Sequence, residues 1–158
     1  IYVDGLASGP YRVETRLNLV KEGEQSAGIL LRFQDQNNFY LLRMRHYPRW
    51  QDYIDLTQYE NGIRKEDLRR CDLPIRPGVW YNLRAEDNGQ EIVAYLDRME
   101  LFRYPTPDKA AGTVGLAVCT GVVSFDYFSA RFMGNEVKHA MVSQVEQSSK
   151  ERFPSQTP

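Results

Sequence analysis

The chain has 158 residues, enough for one domain that buries roughly 68–70% of its unfolded surface without disulfide or metal staples. Hydrophobic residues make up 42% and charged residues 26%, which is too apolar for disorder, and no run approaches the ~18 apolar residues of a membrane helix. A net charge of -1 argues against a nucleic-acid binder held by phosphate contacts, so no nucleic-acid partner is expected, and without a long apolar run no membrane insertion is expected either. Fifteen of the basic residues are Arg and five are Lys. That bias fits a face built on planar, bidentate contacts, and equally fits a GC-rich genome. Ten Tyr and an aromatic content of 12% suit a β-rich fold.

The first strand is predicted at Tyr11–Val20, where Tyr11, Val13, Leu17 and Leu19 alternate with Arg12, Glu14, Arg16 and Asn18. After a Glu22-Gly23-Glu24 turn, Gly28–Gln34 sets Ile29, Leu31 and Phe33 against Leu30, Arg32 and Gln34. The polar turn Asp35–Asn38 leads to Phe39–His46, with Tyr40, Leu42 and Met44 opposite Leu41, Arg43 and Arg45. Tyr53–Glu60 and Ile63–Arg70 flank Asn61-Gly62, the dipeptide preferred for a type I′ hairpin turn. A second hairpin of this kind is expected at Asn88-Gly89, between Val79–Asp87 and Gln90–Leu96. Asp97-Arg98-Met99 turns into a short strand, Glu100–Arg103, and two further strands are predicted at Thr113–Val118 and Val122–Phe132. Strands with tight turns and no intervening helix predict an all-β, two-sheet antiparallel sandwich over residues 1–133.

Past Gly134 the pattern changes. Asn135 is placed to cap a helix running to about Ser148, with Val137, Met141 and Val145 at spacing four, and Glu151–Pro158 reads as a polar linker. Residues 134–158 are therefore expected to be a helical or disordered tail, either frayed or leading to a neighbouring domain. The chain begins at Ile1 without a signal-peptide pattern, so it is expected to be processed or cut from something longer. Cys71 and Cys119 are too few for a zinc site or a disulfide scaffold, and a single bridge between them stays open.

Gly28–Asp35 followed by Asn38–Arg43, then Gly78–Arg84, Tyr95–Asp97, Gly112–Leu116 and Phe125-Asp126, resembles in order the strands of concanavalin A-like lectin/glucanase sandwiches. The nearest branch is the laminin-G-like and 3-keto-disaccharide-hydrolase-like group. The resemblance covers residues 28 to 126 and implies a jelly-roll sandwich. It also implies one departure. The family carries a further strand and a Trp-containing segment before the first long strand, where this chain has only Ile1–Gly5. Because the fold hosts hydrolases, lyases, sugar-binding modules and spacers, function has to be read from the site.

Laminarinase-type relatives cleave with a Glu-x-Asp-x-x-Glu strand, whose acids must face one way about 5–5.5 Å apart for retention. Asp55 and Glu60 are five residues apart and so face opposite ways, and position 53 is Tyr. The chain also lacks a Gly-x-Ser-x-Gly elbow, a His-Glu-x-x-His helix and a Gly-rich phosphate loop. His46 and His139 are the only histidines. The expectation is a non-catalytic carbohydrate-binding or accessory module of a larger polysaccharide-handling protein, extracellular or in the cell envelope. The alternatives are a glycoside-acting enzyme using Glu14, Asp55 or Glu86, and a structural or protein-interaction sandwich.

The outward residues Glu14, Arg16, Arg32, Arg43, Arg45, Arg84 and Glu86 are expected to share one broad polar face. That face either grips sugar hydroxyls and carboxylates or holds a ladder of cross-strand ion pairs. The loop His46–Tyr53 adds Tyr47, Trp50 and Tyr53, rings that can stack on sugar C–H faces, with Arg49, Gln51 and Asp52 to hydrogen-bond hydroxyls. Trp50 otherwise plugs an open end of the sandwich. Any ligand is placed where the face meets this loop, touched by Arg43, Arg45, Tyr47, Trp50, Tyr53 and Asp55, with Arg32 and Arg84 on the same face. Trp80 is expected to be packing. Asp35–Asn38 and Asp126 are oxygen-rich enough to suggest calcium, but an Asx turn is the expectation and no cofactor is predicted.

Overall fold

The computed structural model describes residues 10–107, 111–132, 137–141 and 144–147. Its early strands are β1 (Tyr11–Leu19), β2 (Gln25–Asp35), β3 (Asn38–His46), β4 (Tyr53–Glu60) and β5 (Ile63–Asp72). They are followed by β6 (Trp80–Asp87), β7 (Glu91–Leu96), β8 (Met99–Pro105), β9 (Thr113–Phe132), β10 (Val137–Met141) and β11 (Gln144–Gln147). Every pairing is antiparallel along the path β5-β4-β3-β2-β9-β1-β6-β7-β8. The path folds at β9. Its first half pairs β2 and completes a front sheet with β3, β4 and β5, while its second half pairs β1 and completes a back sheet with β6, β7 and β8.

β9 was expected as two strands and is one strand of 20 residues. Gly121 sits at the crossing with φ of +90°, and a Cβ there would lie 2.6 Å from Gln25 Cγ. Glycine thus lets one strand change sheets, so the residue read as a break is a hinge of the architecture. The Asn61-Gly62 turn holds as predicted, with φ of 52° and 75°. At Asn88-Gly89 only Gly89 has positive φ, and the Asn88 side-chain oxygen instead accepts from the N–H groups of Gln90 and Glu91. The second two-residue turn with both φ positive is Asp97-Arg98, at 46° and 72°.

The main core lies between the sheets. Val13, Leu17 and Leu19 meet Ile29, Leu31, Leu42, Met44, Ile54 and Leu56 from the front sheet. A smaller cluster, Leu30, Phe39, Leu41, Tyr59 and Ala117, packs on the other face of the front sheet. Two expectations fail at the ends of strands. Residues 137–141 and 144–147 are strands paired with β9, not turns of a helix. Around Arg32 the β2 register shifts and the residue takes φ of 48°, so Arg32 leaves the outer face and its side chain crosses to the back sheet, while Phe33 joins the outer cluster. The readings made for Ile1–Gly5, for Asn135 as a cap and for Glu151–Pro158 lie outside the described residues.

Cys71 and Cys119 are both free thiols. They stand on β5 and β9, the two edges of the front sheet, about 19 Å apart at four strand spacings, far beyond the ~7 Å a disulfide spans. No helix among the described residues is long and apolar enough to cross a membrane.

Candidate functional site

The loops at one end of the sandwich form a cavity of about 770 Å3, within the usual size of a ligand site. The β1–β2 turn contributes Glu22 and Glu24, the β3–β4 loop Tyr47, Arg49 and Trp50, and the β5–β6 loop Gly78. Local chemistry fixes this shape. Pro48 occupies the second position of a four-residue turn closed by the Trp50 N–H donating to the Tyr47 carbonyl at 3.0 Å. The turn lifts the indole off the protein, and Trp50 is 84% exposed. It does not plug the end of the sandwich.

Asp52 holds the loops together. Its Oδ1 accepts from Tyr47 N–H at 2.8 Å and from His46 Nδ1 at 2.9 Å, and its Oδ2 accepts from Ile75 N–H at 2.9 Å. The carboxylate is therefore spent on the protein and does not serve hydroxyls as expected. A carboxylate only accepts, so His46 carries its proton on Nδ1 and keeps Nε2 as its remaining polar ring atom. Sequence reasoning placed Asp52 in the loop but missed this role, because backbone donors from another loop leave no mark in the sequence.

The adjacency expected between β3 and β4 is present, with Arg43 opposite Asp55 and Arg45 opposite Tyr53. Arg45 does not line the cavity but ties together two residues that do, Glu24 and Tyr47. It donates to Glu24 Oε1 at 2.9 Å and to the Tyr53 hydroxyl at 3.1 Å, and its guanidinium lies 4.0 Å from the Tyr47 ring centre. Tyr53 is buried beneath the Arg70 guanidinium, 3.8 Å from its ring. Tyr47 and Trp50 thus reach the cavity, with Arg45 and Tyr53 supporting them.

Arg43 and Asp55 lie deeper and do not line the cavity. They form a two-point ion pair of 3.0 and 2.8 Å, with Thr57 donating to Asp55 at 2.8 Å. Asp55 is 0% exposed and Arg43 5%. Burial works against the guanidinium charge, but the hydrogen bonds and charge of Asp55 outweigh it and hold the Arg43 pKa above its ordinary value. Nearby, burial pushes the Cys119 thiol up against the pull of Arg43, so this thiol is poorly suited to act as a nucleophile.

The expected single polar face divides in two. Arg84 is on the back sheet, 3.9 Å over the Tyr95 ring and 3.4 Å from Glu86, while Glu14 and Arg16 pair on that sheet with Arg12 and Asp126. Arg32 belongs to neither outer face and clamps Asp87 with bonds of 2.6 and 2.8 Å. Trp80, expected to be packing, is 38% exposed beneath Arg16 on the back sheet. Asp55 stands on the front sheet, while Glu14 and Glu86 lie on the paired back-sheet strands β1 and β6, and each acid sits beside an arginine. Asp35 makes the expected Asx turn to Asn37 N–H at 2.7 Å, whereas Asp126 is on the other sheet, so their oxygens do not converge. Among the described residues no cluster of three or more His, Cys, Asp or Glu could hold a metal.

No protein-family model and no curated protein matches the chain. Solved structures do match its fold. The carbohydrate-binding module CBM66 from Bacillus subtilis is 18% identical over 88% of this chain and 76% of its own, with a TM-score of 0.60. A galectin from Caenorhabditis elegans, LEC-6, is 19% identical over 90% of this chain and 88% of its own, TM-score 0.59. Toad ovary galectin, solved with N-acetylgalactose, is 16% identical over 81% and 98%, TM-score 0.62. At these identities the likeness is one of architecture: the chain has the concanavalin A-like lectin/glucanase sandwich fold.

Proposed function

We propose that this domain is a non-catalytic carbohydrate-binding module that takes its ligand in the cavity between the β1–β2, β3–β4 and β5–β6 loops. The observation that carries the reading is the exposed Trp50 ring at the rim of that cavity. A large apolar ring is normally hidden, and here the Pro48 turn presents it to solvent. Sugar C–H faces stack on such a ring. His46 Nε2, Arg49 and Glu22 supply hydrogen-bonding groups of mixed charge around it. Net hydrogen-bond gains against water are only ~0.5–1.5 kcal/mol each, so the stacking surface supplies much of the affinity. The carbohydrate-binding module and galectins that share the fold add support by analogy. On this reading the domain serves a larger polysaccharide-handling protein outside the cell or in its envelope.

The test is a panel of oligosaccharides and polysaccharides, followed by calorimetry for binding and chromatography for products. Saturable binding without new products is expected. Turnover would replace the reading with the glycoside-acting enzyme, and absence of binding across the panel would favour an interaction or structural sandwich.

A further inference from the structure

The opposite end of the front sheet holds a second cavity, of about 250 Å3, between the β2–β3 and β4–β5 turns. We propose that it is a separate site for a single neutral sugar ring or similar small polyol, read by the amide of Gln58. Gln58 lines the cavity and is 6% exposed. Its amide is a polar group of this enclosed wall that can pair with whatever enters the cavity.

The lining decides the ligand class. Its charges are already compensated: Arg32 is bound at two points by Asp87 and also donates to Thr106 at 3.1 Å, and Glu60 pairs with Lys65. An ion entering would find no free counter-charge. A primary amide offers both donor and acceptor, the combination a hydroxyl pair needs. Around it stand aromatic residues, Tyr40 with Phe39 and Tyr59, the last two ring-stacked at 4.5 Å. The volume holds about eight waters, the bulk of one sugar ring and not of a chain. Arg32 reaches this wall only through its left-handed backbone, φ 48°, a strain of the sort found where a side chain must be aimed.

The experiment is an NMR titration of the whole 15N-labelled chain with D-glucose, D-galactose and D-fructose, with sodium acetate and sulfate as anion controls. At least one sugar is expected to shift the Gln58 side-chain NH2 and the Asn61 backbone signal saturably, with intermolecular NOEs to the Tyr59 ring. Gln58→Met is expected to weaken that binding at least tenfold, and Trp50→Ala to leave it unchanged, which separates this site from the cavity at the other end. The proposal is overturned by shifts with anions alone, by no sugar shift at Gln58 in the wild type, or by unchanged affinity in folded Gln58→Met. Should Gln58→Met not fold, the wild-type NOEs decide: their absence also overturns it.

Discussion

In β1 each inward residue from Tyr11 to Leu19 is buried and each outward one stays accessible, whereas in β4 every residue but Glu60 is buried whichever way it faces. The difference separates the outer faces of the two sheets. On the back sheet Arg12, Arg16 and Arg84 meet Glu14, Asp126 and Glu86 at 3.0–3.6 Å, with the side chains of these pairs 18–47% exposed. On the front sheet Arg43 and Asp55 are locked together among Leu30, Leu41 and Thr57, out of water. The same residue types at the same alternation thus do two jobs. One face is a solvated ladder, and the other is a desolvated pair that must stay intact.

The sharpest way to break this comparison is Asp55→Ala. It strands the Arg43 charge in a buried site and is expected to cost about 3–5 kcal/mol in urea unfolding. A loss as small as that of a surface pair would mean that the front face is wet. Arg43→Met combined with Asp55→Leu removes both charges and fills the space. This double variant is expected to recover most of the stability lost by Asp55→Ala, giving a strong coupling in the double-mutant cycle. Arg16→Ala on the back sheet is the smallest effect. Its pair with Asp126 is about half exposed on both sides, so a loss below about 1 kcal/mol is expected, shrinking further in high salt.

The sequence made the solvated ladder easier to read than the buried pair. The bounds of β4 and the start of β5 were legible from Asn61-Gly62, although β5 runs on to Asp72 beyond the expected Arg70, and the sandwich was legible from the alternation of β1 and the ordered strand motifs. Alternation could not show that β3 and β4 are buried on both faces, because Arg, Asp and Thr at outward positions look polar either way. Arg32 was misassigned because a positive φ at a non-glycine residue has no compositional signal. The helix expected after residue 134 failed for a geometric reason. Residues four apart share a face in a strand as well as in a helix, so Val137 and Met141 fitted both. The loop cavity was half legible. Tyr47 and Trp50 line it as their adjacency suggested, while Asp52 acts through backbone groups that only the fold brings near.

The central claim is that a sugar docks on the Trp50 end of the sandwich, and calorimetry of Trp50→Ala against the best ligand of the glycan panel tests it most directly. Because the ring is 84% exposed, its removal is expected to leave thermal stability nearly unchanged. Binding is expected to weaken at least tenfold, about 1.4 kcal/mol. Wild-type affinity in a folded Trp50→Ala protein would place the ligand elsewhere and contradict the account.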